Sequence, residues 1–333
     1  MAILKWLAIG SAGLVAAVGL TFVAGALLSL DWSRAHAEAT RQLPSFDGFK
    51  GRALVRLRAG AKEWRARIAG TEGPGVILLH GFPVTSAMYD PLLDAVEAAG
   101  YRAIAFDQRG YSPGARPAGA GAYTVPQLVA DVLEVADLVG FDRFHLVGHD
   151  WGAVVGWGVT LEAPSRVRSW TALSIPHPAA FAKALETDPD QQRRSRYFGL
   201  FTTPWLPELL LSFGGQWLLR ERLYAPMPRD AREEYLRMLA EPGALTAALS
   251  WYRAMSLRGE GRAELERVVE RPTLFVWGSR DPAVARAGVE GQRAYLGGPY
   301  REIELDTDHW LLEQEPDRVV EAILAHWEQH PEG

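Results

Sequence analysis

The chain contains no cysteine. That absence excludes disulfides, thiolate nucleophiles and cysteine-based zinc sites, and it leaves the compartment open, since an oxidising one would do no harm. Strong charge of one sign is also missing. The formal net charge is −5, and the one basic run, Arg193-Arg194-Ser195-Arg196, is short enough to be a solvated helix face, so no footprint for nucleic acid is visible. No internal repeat or low-complexity segment interrupts the sequence. What remains is 333 residues, 48% hydrophobic and 23% charged, an ordinary globular composition that suits one large α/β domain with an insertion.

Charge is absent altogether between Trp6 and Leu30. This run of 25 residues is long enough to cross a hydrocarbon core as a somewhat tilted helix, and it is apolar on every face. Residues 1–32 are therefore expected to be an N-terminal membrane anchor, with residues 6–30 in the lipid bilayer and the protein held as a single-pass membrane protein. The alternative is secretion after signal cleavage near Ala37, because Ala35-His36-Ala37 has the small-x-small form of a cleavage site. A signal core is usually only about 7–15 residues long, which favours the anchor. Lysines and arginines flank the run almost evenly, so its orientation stays open.

A polar connector spans residues 33–50. Beyond it, short apolar runs alternate with helical patterns, the signature of a mostly parallel sheet. Ala53–Arg58 and Glu63–Ala69 alternate polar and apolar residues like an antiparallel hairpin at a sheet edge. Val76–Leu79 and Ala103–Phe106 are continuous apolar runs, as in strands buried on both faces. Val125 to Val139 carries apolar residues at helical spacing. The strand Phe144–Val147 and a helix from Trp151 come next, then a strand at Ser169–Leu173. From Pro178 to Leu265 the strand rhythm stops, and the chain is helical, aromatic and broken by prolines. It resumes with strands at Thr273–Trp277 and Arg301–Leu305 and a helix from Pro316 to Trp327. The expected layout is an α/β core over 51–177 and 266–333 with a helical cap over 178–265.

The sharpest local feature is Gly148-His149-Asp150-Trp151-Gly152. It has the G-x-nucleophile-x-G form of a sharp strand-to-helix turn, with aspartate in the central position. Glycines at 148 and 152 remove Cβ atoms where the turn crowds the backbone. The turn pushes the Asp150 side chain out at the C-terminal edge of the sheet, where α/β sheets bind ligands. The plainer alternative is an aspartate capping the helix from Trp151. Asp281, just past one later strand, and His309, just past the next, complete the order nucleophile, acid, base. His80-Gly81-Phe82-Pro83 follows the strand at 76–79. In such a fold that loop supplies one oxyanion-hole amide and the residue after the nucleophile the other, which nominates Phe82 and Trp151. A tight turn of this kind is where a cis peptide before Pro83 is found. His80 reads as a structural hydrogen-bonder.

HGFP, the stretch Asp107 to Pro117 (DQRGYSPGARP), GHDWG and the closing His309-Trp310 resemble the epoxide hydrolase branch of the α/β-hydrolase family, from about Ala53 to the C-terminus. The resemblance implies an α/β-hydrolase fold with a capped active site. It also implies two cap tyrosines that hold the epoxide oxygen, and these fall on Tyr197, in a segment resembling Ser195–Phe201, and on Tyr252, in the triplet Trp251-Tyr252-Arg253. One departure is Asp308, where the family usually has glycine. A carboxylate there has two expected effects, raising the His309 pKa or competing with Asp281 for it.

Aspartate suits a different electrophile than serine does. Its carboxylate is ionised at neutral pH and needs no base for its own attack on a saturated carbon. The expected activity is conversion of a small apolar epoxide to a diol through an alkyl ester on Asp150, with His309 activating water and Asp281 orienting the imidazole. No metal or organic cofactor enters this scheme. The nearest rival, a haloalkane or haloacid dehalogenase, uses the same Asp-His-Asp set but usually has other residues at 82 or 151. A non-catalytic anchored binding protein on the same scaffold is a third reading. Oligomeric state is not legible. If the uncharged run is an appended anchor, a chain beginning at Glu38 will be soluble with its activity retained. Lost activity in a folded, soluble truncate would assign the run to the enzyme itself.

Overall fold

The structure, a computed structural model, describes residues 36–255 and 266–331. The uncharged run from Trp6 to Leu30 lies outside the described residues. Among the described residues no helix is long and apolar enough to cross a membrane.

An eight-stranded sheet forms the core. Strands β1 (Ala53–Ala59) and β2 (Lys62–Ala69) make the antiparallel hairpin, followed by β3 (Gly75–Leu79) and β4 (Arg102–Phe106). Helix α1 (Asp90–Ala98) links β3 to β4, and α2 (Val125–Leu138) leads to β5 (Phe144–His149). Helix α3 (Trp151–Glu162) then runs to β6 (Val167–Leu173). The spatial order is β1-β2-β4-β3-β5-β6-β7-β8, in which β7 (Thr273–Gly278) and β8 (Tyr300–Leu305) come last. Every pairing from β4 to β8 is parallel, whereas β2 meets both its neighbours antiparallel. All five residues of β3 are buried, as a strand covered by helices on both faces must be. Strand β8 closes the far edge and keeps Arg301 and Glu302 exposed, charges that discourage edge-to-edge pairing.

Among the described residues, six α-helices lie between β6 and β7. They are α4 (Pro178–Thr187), α5 (Pro189–Arg194), α6 (Tyr197–Thr202), α7 (Leu206–Leu218), α8 (Arg229–Ala240) and α9 (Ala244–Met255). Proline opens α4 and α5, where its missing N–H costs nothing and its fixed φ favours the first turn. Helix α7 is broken from within, because Gly214, Gly215 and Gln216 take φ values of +59°, +68° and +64°. The core is completed by α10 (Arg286–Gly291), α11 (Leu311–Gln314) and α12 (Pro316–Gln329).

Polar clasps tie the cap to the core. On β2, Arg65 donates to both Asp107 and Glu234 at 2.9 Å, and Arg67 donates to Glu234 at 2.5 Å. The Thr85 hydroxyl donates to the same Glu234 carboxylate at 2.8 Å. Glu234 lies on α8, so one carboxylate spans the boundary. Part of the stretch expected to be a plain connector is also structured. Residues 36–42 are helical, and His36 Nδ1 pairs with Glu241 of the cap at 2.5 Å, while Arg116 holds the other Glu241 oxygen at 2.9 Å.

Burial alone would raise the Glu234 pKa, but Arg65 and Arg67 outweigh it and hold the carboxyl well below its ordinary value of 4.5. A depressed folded-state pKa means that the stabilisation is complete above the unfolded value and is lost as pH falls toward the folded one. Glu234→Ala strips buried guanidiniums of a partner, so it should cost about 3 kcal/mol at pH 7 in denaturant unfolding. The gap from the parent should narrow as the medium becomes strongly acidic.

Candidate active site

Asp150 stands between the last residue of β5 and the first of α3, with φ of 53° and ψ of −121°. A non-glycine residue held at positive φ costs about 1–3 kcal/mol and persists where the surroundings overdetermine it. Those surroundings are tight. A Cβ on Gly148 would lie 2.4 Å from the Gly152 carbonyl oxygen, and one on Gly152 would lie 1.9 Å from that of Leu79. A Cβ on Gly81 would lie 2.5 Å from the Asp150 carboxylate. The Asp150 side chain does not cap α3. Instead Oδ1 accepts the Phe82 amide at 2.7 Å, and Oδ2 faces His309 Nε2 at 3.4 Å. The peptide between Phe82 and Pro83 is cis.

On its other side, His309 donates from Nδ1 to Asp281 Oδ2 at 2.8 Å. The remaining Asp281 oxygen accepts the amides of Ala283 at 2.7 Å and Val284 at 3.1 Å. The three side chains thus form one relay, nearly closed to solvent, at the C-terminal ends of β5, β7 and β8. Burial opposes charge on His309, but Asp281 first and then Asp150 prevail and raise its pKa well above 6.5. Burial likewise favours neutral Asp150, and His309 together with the Phe82 amide overcomes that and lowers it. The resting relay is therefore an imidazolium between two carboxylates.

Aromatic rings roof the Asp150 carboxylate. Tyr252 of α9 lies 5.1 Å from Trp151 and 5.3 Å from Phe82, ring centre to ring centre, and Tyr197 of α6 lies 6.1 Å from Tyr252. Burial is the first cause that raises both phenols far above their usual range. The field of Asp150 adds to it in each case, so both hydroxyls stay protonated within reach of that field. Trp251, next to Tyr252, donates its indole N–H to the Arg109 carbonyl at 2.9 Å and so fixes α9 against the core. Asp150, His309, Asp281, Tyr197, Tyr252, Phe82 and Trp151 therefore converge on one spot. His80 stands behind it, accepting the Gln108 amide at 3.0 Å in a fully buried position. Asp308 is not a partner of His309; it accepts the Trp310 amide at 2.9 Å.

Several supporting residues carry no local sequence signal. His149 donates from Nε2 to the His309 carbonyl at 2.8 Å, and the Ser174 hydroxyl donates to the same oxygen at 3.1 Å. Burial lowers the His149 pKa to about 4, so that ring is a neutral clamp. From the cap, Gln191 reaches the Asp281 loop, donating to the Ala283 carbonyl and accepting the Ala285 amide, both at 2.8 Å. Glu313 of α11 is the least expected. The residue as a whole is half-buried, yet neither carboxylate oxygen is accessible or accepts a hydrogen bond from a neighbouring residue. Burial pushes its pKa up to about 7, against the lowering effect of His309 nearby.

The profile of the α/β hydrolase fold family matches residues 74–316. The chain belongs to that family and is an α/β-fold hydrolase. It is 32% identical over 297 residues to "Epoxide hydrolase A" of Mycobacterium tuberculosis, covering 77% of this chain and 91% of the relative. It is 27% identical to human "Epoxide hydrolase 4", covering 81% of this chain and 76% of the relative. Among solved structures it resembles one described as novel epoxide hydrolases from metagenomes of hot environments, with a TM-score of 0.72 and 28% identity, covering 84% of this chain and 98% of that one.

Glu313 yields a signed prediction. Its folded pKa lies near 7 and its ordinary value is 4.5, so between these the unfolded chain ionises while the folded chain does not. Its contribution is intact below 4.5 and erodes as pH rises to about 7. Glu313→Gln should leave stability nearly unchanged at low pH and raise it on the alkaline side by roughly 3 kcal/mol, read from unfolding midpoints. Equal effects at both pH values would mean that the carboxyl titrates alike in the folded and unfolded chain.

Proposed function

We propose that this hydrolase opens an epoxide to a diol through an alkyl ester on Asp150. The observation that carries the reading is the charged Asp150 carboxylate facing the neutral phenols of Tyr197 and Tyr252, with the imidazolium of His309 behind it. One Asp150 oxygen attacks an epoxide carbon, the carbon–oxygen bond breaks, and the alkoxide takes its stabilisation and a phenolic proton from the two tyrosines. The proton replaced on the phenol comes, in net terms, from the His309 imidazolium. Ester formation removes the negative charge beside His309, so its pKa falls and the ring becomes a base. It then accepts a proton from water as the oxygen adds to the ester carbonyl, whose oxyanion is received by the Phe82 and Trp151 amides. Collapse releases the diol, the Asp150 carboxylate and the imidazolium together.

Halide expulsion would ask the Trp151 indole to receive a leaving anion. That indole interacts with the Tyr252 hydroxyl, whose pKa it moderates, which favours the oxygen-binding reading. The family relatives named as epoxide hydrolases support the same choice. For the uncharged run we propose a membrane anchor at residues 6–30, on its length and composition.

In a single turnover in heavy-oxygen water, label should appear in Asp150 and not in the diol. Asp150→Ala should abolish turnover, and His309→Gln should accumulate the ester, visible as a mass increment on the intact chain. Tyr252→Phe should lower kcat by about a hundredfold or more. Label entering the diol directly, or chloride release from chloroalkanes with silence on styrene oxide, would overturn the reading.

A further inference from the structure

Seven of the ten most exposed large apolar side chains among the described residues fall between Trp205 and Leu218. That concentration makes a patch rather than scattered surface residues, and patches of this kind mark contact sites. Trp205 is 84% exposed, Leu209 59% and Trp217 51%, with Leu206 and Leu210 beside them. Glu208 is the one charged residue between Tyr197 and Leu219, and it is turned inward, paired with Arg253 at 2.8 Å and accepting the Thr246 hydroxyl at 3.1 Å. Charge returns at the border, where Arg222 lies over the Trp217 ring. Exposed apolar residues on both sides of the break in α7, with tryptophans at both ends and a cation beside one of them, have the composition of a segment lying in a bilayer interface.

The start of the described chain lies near this patch. His36 is held on Glu241, at the cap turn just before α9. Thr246, which touches α7 through Glu208, is five residues further on, a separation on the order of 10 Å. The uncharged run ends at Leu30, six residues before His36, at most about 20 Å of chain. His36, the first described residue, therefore lies on the same side of the molecule as the patch, within that chain length of the run. Beneath the patch, α6 carries Tyr197, Phe198 and Phe201, which are half-buried, whereas Tyr252, Phe82 and Trp151 behind them are buried. The ring cluster over Asp150 thus meets the surface along α6, next to α7.

We propose that α7 is a second membrane contact: its exposed apolar residues lie in the bilayer interface and open the active site toward the lipid, so that lipophilic substrate reaches Asp150 along α6 without crossing water. The inference rests on the anchor reading for residues 6–30 and adds a surface to it.

The absence of native cysteine permits unique labels. The full chain with Leu209→Cys, and separately with Arg301→Cys near the start of β8 at the opposite end of the strands, would carry an environment-sensitive fluorophore in phosphatidylcholine vesicles. Flotation of the vesicles tests the anchor. A chain that fails to float removes both readings. If it floats, the label at 209 should shift to the blue and be quenched by spin-labelled lipid, and the label at 301 should be quenched by aqueous iodide. A 209 label open to iodide leaves the anchor standing and overturns the contact. So does a 209 label shielded from both quenchers, the result expected if another protein segment covers α7. In the paired kinetic arm, Leu209→Glu with Leu210→Glu should raise KM about tenfold for a lipophilic epoxide delivered in vesicles, a charge being costly in the interface. Turnover of a water-soluble epoxide without vesicles should not change. Equal kinetics on both substrates would also overturn the proposal.

Discussion

Asp150 is nearly inaccessible to solvent, and burial alone would push its carboxyl toward the neutral form. A neutral carboxyl is no nucleophile, so the proposed chemistry depends on whatever keeps that charge in place. Three groups do so: the Phe82 amide on one oxygen, the His309 ring beside the other, and Asp281, which sustains the positive charge on that ring. Each is fixed in turn by backbone that cannot move far. Gly81 lets the loop after β3 come close enough to donate, and the His309 carbonyl is gripped by His149 and Ser174.

The core and the cap divide the chemistry between them. The sheet supplies the charges, at the ends of β5, β7 and β8; the cap supplies the phenols. That division works only if the two bodies hold their registration. Glu234 is shared by Arg65, Arg67 and Thr85, Trp251 is bonded to the Arg109 carbonyl, and Gln191 braces the Asp281 loop, so three separate bridges fix the phenols over the carboxylate. These bridges are charged or polar and largely buried, which makes them costly to break singly.

Much of this was legible in the sequence because the constraint was local. The turn at Asp150 needs glycine two residues on either side, and the apolar runs at Val76–Leu79 and Thr273–Trp277 announce strands buried on both faces. The two cap tyrosines were legible only through family resemblance, since nothing in their spacing distinguishes them from core aromatics. What escaped depends on distant packing. The His149 ring and Ser174 meet the His309 carbonyl from 160 and 135 residues away. Glu313 sits among helix-forming neighbours like any surface glutamate, and only the packing of the folded chain buries its carboxylate oxygens. The connector at 33–50 read as polar chain, and its grip on Glu241 could not be seen without the cap in place.

The relay of two carboxylates and one imidazolium carries a net charge of minus one. On the proposed cycle it keeps that charge: when Asp150 is alkylated it loses its negative charge, and His309 gives up its proton in the same half-reaction. Hydrolysis restores both together. Nothing ionic has to cross the ring of tyrosine, phenylalanine and tryptophan side chains at any stage, only neutral epoxide, water and diol. The lining can therefore be as hydrocarbon-like as it is without slowing the exchange of ions, because there is none to exchange.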